Sequence, residues 1–327
     1  MTKIPRPDRI RLEASTFCQL KCPSCPTATH AIDSTLGKGF LKLRDFKKLL
    51  NENPWVKEIE LSNYGEIFLN PELLGIFQHA FEMGVLLTAD VGVNLNFVKD
   101  NVLEGLVKYR IRKLKCSIDG ASNVTYTKYR VGGNFDVVMS NIRKINELKE
   151  DYGSEYPHLI WQFVIFGHNE HELELAKKKA RENNMSFDAK LSWDNEISPV
   201  RDLEMVREEA GASSRKEYFE INRQDYMQEI CHQLWDMPQI NWDGKNLGCC
   251  QNFWGDFGGN AFTNGLEACL NSEKMNYARD MLSGLQESRD DIPCTTCSIY
   301  LGMKNERRWL DRKQGSWNFF HWIRKGS

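Results

Sequence analysis

The chain has 327 residues, 41% hydrophobic and 27% charged, with a formal net charge of -2. This composition can bury a core and is not that of a disordered chain. It contains no apolar run long enough for a membrane span, and its near-neutral charge provides no field for gathering nucleic acid or lipid. The first residues, Met1–Pro7, lack the apolar core of a signal peptide, so a cytoplasmic location is expected. The ten cysteines then point to burial, metal or chemistry and not to disulfides.

In chain order, Arg9–Ala14 alternates polar and apolar residues and predicts a first strand, followed by a cysteine-bearing loop from Ser15 to about Gly39. Leu41–Leu50 predicts a helix and Lys57–Ser62 a second strand. Asn70-Pro71-Glu72 predicts a helix start, with Asn70 as cap and proline in the first position. Strands are expected at Val85–Asp90, Lys113–Ile118, His158–Phe166 and Ser186–Trp193. Helices are expected near Asp100–Tyr109, at Asp136–Glu150, and from a cap at Asn169 with Glu172 to about Asn183. Six strand–helix alternations predict an α/β fold of parallel βα units, as an open sheet or a barrel.

The alternation stops near residue 200. Residues 201–228 read as a charged bridging segment with one helix. Residues 229–327 are rich in Trp, Gly, Asn and Cys, and so small and loop-rich a region calls for a metal staple.

Cysteines fall into two groups, Cys18, Cys22 and Cys25 near the start, and Cys231, Cys249, Cys250, Cys294 and Cys297 near the end. Cys116 and Cys269 stand alone and are expected as small core hydrophobes. Clustered thiolates select zinc or iron–sulfur clusters. A structural zinc site takes four ligands; the first group has three, with His30 the nearest candidate for a fourth. An iron–sulfur cluster with one open iron fits three thiols better. His168 and His171 are expected to be a solvated cap, not a metal pair.

The Cys18-x3-Cys22-x2-Cys25 loop after strand one resembles the signature of the radical S-adenosylmethionine (SAM) superfamily. Tyr64-Gly65-Glu66 after strand two resembles that family's Gly-Gly-Glu segment, with Tyr64 in place of the first glycine. Ser117-Ile118-Asp119-Gly120 with Tyr126, Arg130, Gly132-Gly133 and Phe135-Asp136 resembles a further family stretch, and Gln162 begins its fifth-strand segment. The resemblance covers about residues 8–195. It implies a partial (β/α)6 radical SAM barrel, a 4Fe-4S cluster on Cys18, Cys22 and Cys25, and SAM held by Tyr64, Gly65, Glu66, Ser117, Arg130 and Gln162. One departure is Ser24, before the third cysteine, where the family often has an aromatic residue; adenine contacts are then expected from elsewhere. Strand parity adds that if Ser117 faces the cofactor, Cys116 faces the helices.

The stretch from Cys231 through Asp243-Gly244 to Cys249-Cys250 resembles the start of the family's SPASM/twitch extension, with Asp243-Gly244 as a hairpin turn. It implies one auxiliary 4Fe-4S cluster on Cys231, Cys249, Cys294 and Cys297. A zinc ribbon is the competing reading. Cys249 is expected as the ligand and Cys250 as a core thiol, with a hydrogen-atom donor as the other reading of Cys250.

The resemblance implies reductive cleavage of SAM to a 5′-deoxyadenosyl radical and hydrogen abstraction from a peptide or protein substrate. The alternatives are a twitch-type dehydrogenase acting on a small polyol or aminocyclitol, and a non-catalytic metal-binding scaffold. An electron donor such as flavodoxin or ferredoxin is implied, with no nucleic acid or membrane partner. The aromatic tail, with Trp309, Trp317 and Trp322, is expected to pack on the second domain.

Overall fold

A computed structural model describes residues 6–194 and 196–311. Strands and helices alternate as β1 (Arg9–Leu12), α1 (Leu43–Glu52), β2 (Glu58–Glu60), α2 (Leu73–Glu82), β3 (Leu86–Val93), α3 (Asp100–Lys108), β4 (Lys113–Ser117), α4 (Asn123–Tyr129), α5 (Phe135–Asp151), β5 (His158–Ile165), α6 (Leu173–Glu182) and β6 (Ser186–Leu191). β1 to β6 pair in parallel and in sequence order. The strands are short and apolar; β5 is buried from Leu159 onward, as befits a parallel strand covered on both faces. The helices supply apolar stripes. In α5, Phe135, Val138, Met139, Ile142 and Ile145 are buried at the three- and four-residue spacing of one helix face. This is the α/β fold of parallel βα units expected from the alternation, with all six strands side by side in chain order.

Two cap expectations are corrected. The N-cap of α2 is Glu72, and Asn70 acts one step earlier, its Oδ1 accepting from Glu72 N at 2.8 Å. Its side-chain amide donates to the carbonyls of Ala14 and Leu41, each at 2.9 Å, because buried carbonyls of two crossing segments need donors. Asn169 stands at the N-cap of the short 3-10 turn Glu170–Glu172 but makes no side-chain cap bond; its side chain donates to Val164 O at 2.9 Å and Asp119 O at 3.3 Å and accepts from Phe166 N at 2.8 Å. Glu172 accepts from Ala121 N and Ser122 Oγ, each at 2.6 Å, and so anchors the start of α4, a helix the periodicity does not predict.

The bridging segment holds two helices, α7 (Leu203–Ala210) and α8 (Arg215–Asn222), where one was expected. After α9 (Gln233–Asp236), β7 (Gln239–Ile240) pairs parallel with β1, and β8 (Asn246–Gly248) pairs antiparallel with β7. The sheet therefore continues to eight strands in the order β6-β5-β4-β3-β2-β1-β7-β8. The expected Asp243-Gly244 turn joins β7 and β8, with Gly244 at a φ of +90°. A second apolar cluster, including Ile230, Leu234, Phe257, Met281 and Met303, forms around the distal cysteines, with α11 (Glu273–Leu282) and α12 (Ser298–Glu306), while α10 (Leu266–Leu270) packs on the main core. Trp309 packs on it against Tyr300, ring centroids 6.2 Å apart; Trp317 and Trp322 lie outside the described residues, as does Met1–Pro5. Among the described residues no helix is long and apolar enough to cross a membrane.

Candidate active site

The carboxyl ends of parallel strands are where α/β sheets and barrels bind ligands. Here they open onto a cavity of about 1610 Å³, lined by Cys18, Cys22 and Cys25 and by Tyr64, Gly65, Glu66, Ser117, Arg130 and Gln162. All nine residues named from the first cysteine loop and the family segments thus meet at one cavity, from five separate stretches of chain.

The cysteine loop leaves β1 and turns tightly, with Cys25 N donating to Cys22 O at 3.1 Å. Burial pushes the Cys18 thiol up to about 12 and that of Cys22 upward as well. Metal binding would offset the cost of baring these thiolates, since a ligand must be deprotonated to coordinate. Asn94 Nδ2 stands 3.7 Å from Cys18 Sγ, and an Arg130 terminal nitrogen 3.8 Å from Cys22 Sγ. His30 is turned away: its Nδ1 faces Asp33 at 3.0 Å on the surface, and it does not line the cavity. His168 stacks on Phe166 outside the cavity.

Gly65 is required by close approach. A Cβ there would lie 2.0 Å from Ser15 O and 2.9 Å from Phe17 O, both backbone atoms. Glu66 is buried, and desolvation raises its carboxyl to about 7 despite hydrogen bonds from Asn94 N at 2.6 Å and Phe68 N at 3.3 Å. Tyr64, the departure from the family's glycine, donates its hydroxyl to Cys250 O at 2.7 Å and packs edge-on to Phe253. Beneath this segment lies Glu13, which the sequence reading did not single out. Its carboxylate accepts from Tyr64 N at 3.2 Å and Gly65 N at 3.4 Å, and burial pushes it up to about 8.

Across the cavity, Ser117 and Gln162 stand on neighbouring strands, Gln162 Nε2 reaching Ser117 Oγ at 3.4 Å. Cys116 is fully buried on the opposite face, as parity requires. Arg130 Nε donates to the buried Asp119 at 2.7 Å; burial opposes its charge, but Asp119 together with Cys22, Tyr129 and Tyr126 outweighs that and holds the guanidinium ionised. Ser24 Oγ lies 2.8 Å from the Tyr129 hydroxyl, and the Tyr129 ring lies 4.5 Å from that of Phe166. Tyr129, from α4, lines the cavity beside Ser24. Asn94, Asp119 and Tyr129 carry no signal of their own in the sequence beyond the Ser-Ile-Asp-Gly run that contains Asp119.

The distal cysteines form a second centre. Cys231, Cys249, Cys294 and Cys297 wall one small pocket with Trp254, Phe257 and Tyr300. Burial raises all four thiols, Cys249 to about 12. Cys250 points the other way and lines the large cavity, half-buried; the expectation of a core thiol is corrected here. The split arises because both residues lie in the turn just past β8, where Cys250 N is held by Gln233 Oε1 at 2.8 Å and its carbonyl by Tyr64. Cys269 is buried in the main core, as expected. Among the described residues no three His, Cys, Asp or Glu side chains are spaced to share a single metal ion; a cubane cluster spreads its thiolates wider than one ion does. A donor set made only of thiols, in an apolar setting, suits iron–sulfur chemistry.

No family model matches the chain, and no curated protein matches it. Among solved structures it superposes on Streptococcus suis SuiB bound to S-adenosylmethionine with a TM-score of 0.63 at 14% identity, over 90% of this chain and 71% of SuiB. For SuiB bound to precursor peptide SuiA the TM-score is 0.60 at 13% identity, over 90% and 70% of the two chains. For BtrN in complex with AdoMet and 2-DOIA it is 0.52 at 14% identity, over 90% and 94%. The likeness is one of fold: at 13–14% identity the chain shares the parallel βα arrangement and its C-terminal continuation with SuiB and BtrN.

Proposed function

We propose that this chain is a radical SAM enzyme that cleaves S-adenosylmethionine reductively and takes a hydrogen atom from a peptide or protein substrate. The observation that carries the reading is the convergence of three thiols and six SAM-type residues on one cavity, beside a separate four-thiol pocket. Cys18, Cys22 and Cys25 would hold one 4Fe-4S cluster, and Cys231, Cys249, Cys294 and Cys297 the auxiliary one. Bound together, the first cluster and SAM supply a 5′-deoxyadenosyl radical, chemistry that belongs to the cofactor.

The protein's part is binding and exclusion. The Glu66 carboxylate suits the SAM ammonium, Ser117 and Arg130 suit its carboxylate, and Gln162 belongs to the fifth-strand segment near the adenine. Tyr129 and Phe166 provide an apolar wall beside the cysteine loop. The electron would come from a flavodoxin or ferredoxin. Pockets for drug-sized ligands run roughly 300–1,000 Å³, so a cavity of about 1610 Å³ admits SAM together with a peptide side chain and its backbone. The twitch-type dehydrogenase is the second reading, favoured by the likeness to BtrN.

The test is anaerobic reconstitution, dithionite reduction and detection of 5′-deoxyadenosine by mass spectrometry. The wild type should produce it, and replacing Cys18, Cys22 and Cys25 together by Ala should abolish it. Glu66→Ala should weaken SAM binding roughly ten- to a hundredfold, the loss of a charged hydrogen-bond partner, with iron content unchanged. A wild type that neither binds nor cleaves SAM would overturn the proposal. With deuterated substrates, label reaching 5′-deoxyadenosine from a polyol but from no peptide would favour the dehydrogenase.

A further inference from the structure

The large cavity has a second charged wall, away from the cysteine loop. On β6, Ser186, Asp188 and Lys190 line the cavity; Phe187 lines it too and packs with Ala189 on the main core. Lys190 Nζ donates to Gln162 Oε1 at 2.7 Å and stands 3.6 Å from Asp188. Asp188 is already engaged by Lys115 at 3.0 Å. The other carboxylate of this wall, Asp90, serves Lys115 at 3.3 Å and Lys113 at 3.6 Å.

Arg215, from α8, adds a fourth cation. Its Nε donates to Leu191 O at 3.3 Å, and its guanidinium lies 4.8 Å above the Tyr226 ring. No carboxylate of the described residues lies within ion-pairing distance of it; Asp225 acts only through the longer-range field. Arg215 and Lys190 feel each other's charge: burial, then Lys115, and in lesser measure Arg215 push the Lys190 ammonium down to about 8. A cation in such a place is costly unless an anion answers it, and 32% of the Lys190 side-chain surface is open, toward the cavity it lines.

We infer that Lys190 and Arg215 bind an anionic group of the substrate, a carboxylate or a phosphate, at the β6–α8 wall of the cavity. The inference rests on the enzyme reading above and narrows its substrate. A free or side-chain carboxylate of a peptide, or a phosphorylated molecule, fits this wall. The rival claimant is the carboxylate of SAM itself, because Lys190 connects to Ser117 through Gln162. Arg215, on a separate helix, lies beyond that chain of contacts.

Calorimetric titration of the reconstituted protein with succinate and with inorganic phosphate, with and without SAM, tests this. One of the two probes should bind saturably in the presence of SAM, and the better probe identifies the anion as carboxylate or phosphate. Lys190→Gln and Arg215→Gln should each weaken that binding about tenfold or more, Arg215→Lys should retain much of it, and SAM affinity should change less than about threefold. Loss of SAM affinity in Lys190→Gln with probe binding intact would assign Lys190 to SAM and overturn the inference. Probe binding that never saturates, or that survives both substitutions, would overturn it too. Because the probes are also titrated without SAM, a protein that fails to bind SAM still reports on the anion site. Melting curves of each variant guard against misfolding.

Discussion

Replacing Gly65 by Ala probes the contact between the cysteine loop and the segment carrying Glu66. The new Cβ would sit 2.0 Å from Ser15 O, 2.5 Å from Ser15 C and 2.9 Å from Phe17 O. Carbon–oxygen contacts settle at roughly 3.3–3.6 Å, so the two segments must separate by roughly 1.3 Å or more. All three obstructing atoms are backbone, so no side chain can rotate aside. The separation strains the Glu66 N to Phe17 O hydrogen bond, 2.7 Å in the native fold, and moves both Glu66 and the start of the cysteine loop. Overpacking of this kind costs about 1–3 kcal/mol, and a displacement of about 1 Å in a positioned group costs roughly a hundredfold in rate. The assay is thermal melting together with single-turnover SAM cleavage. The variant should melt several degrees lower and cleave SAM roughly a hundredfold more slowly. Gly302→Ala in α12 is the control: its Cβ would meet only Phe219 Cε2 at 3.8 Å, and an alanine inside a helix should stabilise it by about 0.5–1 kcal/mol. A Gly65→Ala protein with wild-type melting and wild-type cleavage would refute the close-approach argument.

Cys249→Ala should remove about half the iron of the reconstituted protein, while Cys250→Ala should leave iron content intact; the opposite pattern, read by iron analysis, would reverse the ligand assignment, and zinc at the distal site would replace the auxiliary cluster. Glu13 should make stability depend on pH. Burial raises its carboxyl to about 8 in the folded protein, so its favourable contribution is complete below the ordinary carboxylate range near 4.5 and is lost as pH climbs through about 8. Glu13→Gln should therefore flatten the melting profile between pH 5 and about 8.5, and an unchanged slope would show that Glu13 does not titrate there.

The βα alternation, the cysteine spacing and the Gly65-Glu66 and Ser117–Gly120 segments are legible along the chain because each is local. A buried strand must be apolar, a helix must carry its apolar residues at three- and four-residue intervals, and a tight loop must place its thiols within a few residues. Side-chain parity is local too, and it correctly sends Cys116 into the core opposite Ser117. The tertiary structure decides what depends on distant partners. Asn70 and Glu172 have sequence neighbours suited to capping, yet they bond to carbonyls and amides of other segments because those groups are buried with them. Cys249 and Cys250 separate into two cavities because a turn after β8 is held by Gln233 and Tyr64, 17 and 186 positions away along the chain. The extension of the sheet through β7 onto β1, and the placing of Lys190 and Arg215 along one cavity, likewise depend on chain segments brought together only when the core closes. Contact energies between such segments arise from burial and pairing in three dimensions, and no periodicity along one segment encodes them.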